Sequence, residues 1–215
     1  MNVTAAPRAI YFFLLVIGFF QTVDVDAAVI QVTAVGTGPG DDTANIKAAV
    51  ATANDNDIIE LTGIFQNVQD IVIKGGKILT LQGKPTDGVP ATLKGVNGGA
   101  TNSIIAVLDS STNVSLIDLV LTENKGANSA IYVSQATLSL KRVSITNNSA
   151  GSYGGAIYNY QGTITMSHST FSNNSAVYGG GAIYNNGGDI SIEESTFSNN
   201  SVGYDGGTIY NYQGT

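Results

Sequence analysis

Apolar and small polar residues alternate along much of this chain, and in its second half the alternation returns in phase every 26 residues. In TITMS at 163–167 and DISIE at 189–193, Ile164, Met166, Ile190 and Ile192 fall on one side and Thr, Ser, Asp and Glu on the other. That is the period of a strand with one buried face. Aligned at the same step, apolar columns appear: Ile131, Ile157, Ile183, Ile209; Leu138, Ile164, Ile190; Leu140, Met166, Ile192; and Ile145, Phe171, Phe197. Each copy therefore predicts three short strands, around GGAIYN (154–159), TITMS and STFSN (195–199 in the last full copy). Helix is excluded there, because the pairs Gly154–Gly155, Gly180–Gly181 and Gly206–Gly207 would each cost a helix about 1 kcal/mol per residue.

A unit this short cannot bury its own apolar side, so neighbouring copies must stack and share a core. Strands restarting at the same point in each copy describe an all-β fold, a right-handed parallel β-helix of pectate-lyase-like type, with coils spaced roughly 4.8 Å apart. SAIYVSQATLSLKRVSITNN at 129–148 fits the same template. STNVSLIDLVLTEN at 111–124 fits after a two-residue change in one turn, which sets Leu121 over Ile145. DIVI (70–73), KILTLQG (77–83) and ATLKG (91–95) predict strands of less regular early coils.

The segment 42–57 breaks the pattern. Ile46, Ala49, Val50 and Ala53 lie on one helical face, with Asp42 or Thr43 as candidate N-cap, and a short amphipathic helix is suited to closing an open core end. Residues 1–27 form a further unit: Arg8, an apolar run from Ala9 to Phe20, then small residues at Val25 and Ala27 predict a secretory signal cleaved before Ala28. That run is too short for a membrane span, which needs roughly 20 residues. The expected organisation is signal 1–27, capping region 28–57, irregular coils 58–128 and regular repeats 129–215, the last broken off in mid-coil as in a fragment.

A net charge of −7 with no basic cluster argues against nucleic-acid binding. With no Cys, an exported chain has neither disulfides nor thiol chemistry, and its stability rests on the stacked core. Asn113, Asn147, Asn173 and Asn199 stand in Asn-x-Ser/Thr sequons; the three that repeat are expected to be turn residues whose side chains hydrogen-bond from coil to coil.

GGAI at 154–157 and 180–183, followed by FSNN at 171–174 and 197–200, resembles the GGA(I/L/V) and FxxN repeats of chlamydial polymorphic outer membrane proteins and related bacterial surface proteins. The resemblance covers about 129–215, with GGTI at 206–209 and Ile145 in place of Phe as departures, and the family's translocator barrel is not seen. It implies a right-handed β-helical passenger at, or released from, a bacterial surface, with adhesion to host-cell glycans or surface proteins as its role.

Parallel β-helices also carry polysaccharide lyases and hydrolases, which need clustered carboxylates for calcium binding or for acid and base roles. Between 129 and 215 the only acids are Asp189, Glu193, Glu194 and Asp205, and Glu193 and Glu194 have Ser167 and His168 one coil earlier. No catalytic residue, cofactor or metal site is predicted; an enzyme would need its site in the irregular coils or beyond the chain. His168 is expected on the solvated surface, Arg142 beside Asp118 as a surface ion pair, and Asp41, Asp42, Asp55 and Asp57 as capping and solvating residues rather than calcium ligands.

The repeated surface feature is aromatic. Tyr132, Tyr158, Tyr184 and Tyr210 each follow an inward Ile and so point outward, and Tyr178 and Tyr204 form a second column. These six are the candidate ligand-binding residues, a Tyr and Asn surface for glycan or protein, with ring stacking between coils as the alternative role.

Overall fold

The structure is a computed structural model that describes residues 4–5, 27–35, 41–97 and 103–215. The export signal expected at 1–27 lies outside the described residues apart from Thr4–Ala5 and Ala27; Thr4 and Ala5 pair antiparallel with Gln31 and Ile30. The remainder is a parallel β-solenoid of about 7 turns.

Each regular coil has four strands rather than the three expected. In one coil these are Ile157–Tyr160, Thr163–Ser167, Thr170–Ser172 and Ser175–Ala176. Stacked on their counterparts they make a Tyr face, a long face, a Phe face and a short face. The short face escapes a hydrophobicity pattern because its strands are two residues long and mostly Ser and Ala.

Register follows the apolar columns. Ile131 pairs with Ile157, Ile157 with Ile183, and Leu121 with Ile145, as expected. Ile131, Ile157 and Ile183 are fully buried, whereas Ile209 is 36% exposed because no described coil covers it. Phe171 and Phe197 stack at 4.7 Å and 6° inside the Phe face. The length change before the regular coils involves two turns that compensate. Asp109–Ser110–Ser111–Thr112 links Ile105–Leu108 to Asn113–Ile117 where Gln135–Ala136 suffices one coil later, and residues 127–130 lead from Lys125–Gly126 to Ile131–Ser134 where 151–156 do so one coil later.

Single left-handed residues turn the chain between faces. Gln161 (φ 54°), His168 (φ 51°) and Asn173 (φ 54°) end the first three strands of their coil. The Gly pair does what no other residue can: a Cβ on Gly154 (φ +59°) would lie 2.1 Å from Ile157 O, and one on Gly155 would lie 2.4 Å from Gly181 O and 2.5 Å from Ser175 O.

The solenoid starts earlier than the pattern suggested. Val29–Thr33 pairs parallel with Ile58–Thr62, so the first rung of the long face lies inside the segment assigned to the cap. Helix α1 (Asp41–Thr52) follows this rung and packs on Ile71–Ile73, taking the place of a Tyr-face strand in the first coil. Its expected face is right: Ile46, Ala49, Val50 and Ala53 are buried. Its expected cap is not. Asp42 lies within the helix, and its carboxylate accepts the backbone N–H groups of Val35 (3.0 Å) and Gln66 (2.9 Å); the Thr43 hydroxyl donates to Asn67 O. Both residues tie the helix to adjoining chain instead of closing its first turn.

Candidate functional site

Strand alternation on the Tyr face sends Ile157 and Asn159 into the core and Tyr158 and Tyr160 outward. The inward Asn column was not anticipated, although its phase with Ile was visible in IYN. Asn159 Nδ2 donates to Gly162 O (2.9 Å) and to Asn185 Oδ1 (2.8 Å); Asn185 Nδ2 repeats this with Gly188 O and Asn211 Oδ1. A second ladder corrects the expectation for the sequon residues. Asn147, Asn173 and Asn199 are exposed and left-handed, and the coil-to-coil bonds belong to the residues after them. Asn148 Nδ2 donates to Asn174 Oδ1 (3.1 Å), and Asn174 Nδ2 to Asn200 Oδ1 (3.1 Å) and Ile145 O (2.8 Å).

Outside, the tyrosines meet in one cluster. Ring centroids are 5.6 Å apart for Tyr132–Tyr158, 5.3 Å for Tyr158–Tyr184 and 5.2 Å for Tyr184–Tyr210. Tyr178 and Tyr204 stack at 5.7 Å. The two columns are joined by Tyr153, which the repeat pattern passed over because Gly179 and Asp205 occupy its place in later coils. Its ring lies 6.2 Å from Tyr158, 5.5 Å from Tyr178 and 4.5 Å from Tyr184. The small residue one coil on makes this possible, since a Cβ on Gly179 would press 3.1 Å from the Tyr184 ring.

Exposure divides the cluster. Tyr184 points outward as expected but is only 9% exposed, covered by its Tyr neighbours, and this burial, with those phenols around it, pushes its hydroxyl pKa up. Tyr132, Tyr158 and Tyr210 are half-buried. Tyr178 and Tyr204 stand out at 48% and 73%, as do Tyr153, Tyr160 and Tyr212, which were not among the six candidates. The column Tyr132, Tyr158, Tyr184, Tyr210 is thus a floor, flanked by more exposed rings. The floor is tied in further by Asn186 Nδ2, which donates to the Tyr158 hydroxyl at 3.4 Å.

The charged residues are occupied elsewhere. Arg142 donates through Nε (2.6 Å) and Nη2 (2.7 Å) to the two oxygens of Asp118, the expected ion pair, and holds that carboxyl below its ordinary value of 3.8. His168 is exposed, with Nε2 2.7 Å from Glu194 Oε2, a partner in its own column. Asp57 accepts the N–H groups of Ala28 (2.9 Å) and Asn54 (2.8 Å), and Asp55 that of Ile78 (3.1 Å), so these acids hold backbone. Among the described residues, no group of three or more His, Asp and Glu is placed to hold a metal ion. No described helix is long and apolar enough to cross a membrane.

Stacked 26-residue coils with an aromatic outer face define a β-solenoid repeat protein. The repeat described as Chlamydia polymorphic membrane protein (Chlamydia_PMP) repeat matches three consecutive stretches, 142–160, 168–186 and 194–212, in agreement with the resemblance carried by GGAI and FSNN. Each match runs from the left-handed corner residue Arg142, His168 or Glu194 to the end of the next Tyr-face strand, and so takes in both the Asn ladders and the Tyr columns. No curated protein and no solved structure matches the chain.

Proposed function

We propose that this chain is a secreted or surface-displayed β-helical repeat protein that binds, without catalysis, through its Tyr-bearing side. The observation that carries the reading is the continuous cluster of seven tyrosines across consecutive coils, far more aromatic surface than the rest of the outer faces present. Tyrosine supplies large contact area with a polar tip, the combination enriched where proteins meet partners. Tyr178 and Tyr204 would make first contact, with Tyr132, Tyr158, Tyr184 and Tyr210 as the supporting floor. A surface repeating once per coil suits an extended partner, a glycan chain or a surface protein of another cell, better than a compact small molecule. Export to the bacterial outer membrane or beyond is supported by the polymorphic membrane protein repeats and by the apolar run at 9–20.

The test is binding of the purified full chain to glycan arrays and intact cells, beside a Tyr178→Ser, Tyr204→Ser double variant. Both rings are exposed, so the variant keeps the fold and loses binding. Unchanged binding by a folded variant sinks the assignment of this face; cleavage of any polysaccharide in the panel, abolished on replacing an acid, sinks the non-catalytic reading.

A further inference from the structure

Tyr178 and Tyr204 are in a different chemical position from the other stacked pairs. They occupy the same column on adjacent coils, their centroids are 5.7 Å apart with planes at 25°, and both rings face solvent, at 48% and 73%. Behind them, Tyr153 connects Tyr178 to Tyr184, and Tyr184 connects to Tyr158 and Tyr210, with every step between 4.5 and 5.5 Å. Rings in contact at such separations exchange an electron readily, so a hole created on any member can reach the exposed pair.

The composition removes the competitors for that hole. The chain has no Cys and no Trp, and of its two Met residues one is Met1 and the other, Met166, is buried in the core at 2%. Tyrosine is therefore the most readily oxidised group that solvent reaches in the coils. Without Cys, disulfides cannot link one coil to the next, and these stacked phenols are the groups able to form such a link under oxidising conditions outside the cell.

We propose that Tyr178 and Tyr204 are an oxidative coupling site, converted to dityrosine by hydrogen peroxide with a haem peroxidase as the one-electron oxidant, so that a covalent bond joins two consecutive coils. Each phenol loses one electron and its hydroxyl proton. The two radicals then join through ring carbons ortho to oxygen, forming one C–C bond, and the hydrogen on each of those carbons moves to its own oxygen to restore both phenols. Two hydrogens leave the protein in all, and they reduce one hydrogen peroxide to two waters. The solvent-facing rings have room to turn from their stacked orientation into the twisted arrangement that the new bond requires, whereas Tyr184, enclosed by its neighbours, does not.

The experiment treats the dilute full chain with hydrogen peroxide and a haem peroxidase. The readouts are dityrosine fluorescence, intact mass and peptide mapping. The expected product is a monomer lighter by two hydrogens, with the peptides bearing Tyr178 and Tyr204 recovered as one linked species. Tyr178→Phe and Tyr204→Phe each abolish it, while Tyr212→Phe, exposed but outside the ring contacts, leaves it intact. Circular dichroism on every variant shows that the coils are retained. Coupling that maps to another tyrosine pair, appears only in covalent dimers whose yield rises with protein concentration, or persists in Tyr204→Phe overturns the proposal, as does a folded wild-type chain that forms no dityrosine while free tyrosine in the same mixture does.

Discussion

Asn148 donates its side-chain amide to Oδ1 of Asn174, one coil further on, and both residues are buried between the Phe face and the short face. The same oxygen accepts the Asn148 backbone N–H at 3.2 Å, while Asn174 Nδ2 reaches Ile145 O. The ladder thus satisfies main-chain groups where strand pairing pauses at the corner, and it does so only when coils stack in register.

Asn174→Ala is therefore expected to be costly, because it leaves buried donors and an acceptor unpaired, at about 1–3 kcal/mol for each group that water cannot reach. Asn173→Gly, one residue earlier, should lie within about 0.5 kcal/mol of wild type, since Asn173 is exposed and its φ of 54° suits glycine. Chemical denaturation of the two variants makes the comparison. Equal loss would show that the ladder contributes nothing beyond turn geometry.

Burial of Tyr184 changes what its removal should do. On position in the repeat alone, Tyr184→Ser would be mild; with the ring 9% exposed and packed against Tyr153, the expected loss is about 3 kcal/mol. Tyr204→Ser, at 73% exposed, should cost under about 1 kcal/mol. Ile183→Asp, which drives a carboxylate into the core beneath, should unfold the adjoining coils. Thermal melts of all three give the ranking, and a Tyr184 variant as stable as the Tyr204 variant would contradict the packed floor.

At the Gly corner, Gly155→Ala should be destabilising, because the new methyl meets backbone atoms of Ser175 and Gly181 rather than a movable side chain. Overpacking of this kind costs about 1–3 kcal/mol. Gly75→Ala carries backbone strain alone, with φ +77° and no atom within 4 Å of the added methyl. Hydrogen exchange after Gly155→Ala should show the loss in the coils containing 154–159 and 175–181 and not at α1.

Two titrations should limit stability from opposite sides. The Asp118 carboxyl is held low by its hydrogen bonds with Arg142, so its contribution is complete above its ordinary pKa of 3.8 and disappears as pH falls through the lower folded value. The Tyr184 phenol is held high by burial, so its contribution is complete below its ordinary pKa of 10.0 and disappears as pH rises through the folded value. Unfolding free energies against pH should show Asp118→Asn losing the acid-side dependence and Tyr184→Phe flattening the alkaline limb. An unchanged profile in either variant would count against the corresponding linkage.

The coil step, the inward Ile column and the pairing of Leu121 with Ile145 were legible from one dimension, because a parallel stack places chemically alike residues at a constant interval and strand alternation assigns each a side. The buried face of α1 was legible for the same reason, as a 3.6-residue period. Periodicity could not reveal what lies between columns or outside them. Tyr153 fills space left by Gly179, and no repeat of its own marks it, yet its ring buries Tyr184 and merges two Tyr columns into one surface. Asn173 and Asn174 repeat equally well, and only the left-handed corner decides that the first meets solvent and the second carries the ladder. Alternation says which way a side chain leaves its strand; how much water reaches it depends on neighbours contributed by other coils, and those are set when the coils stack.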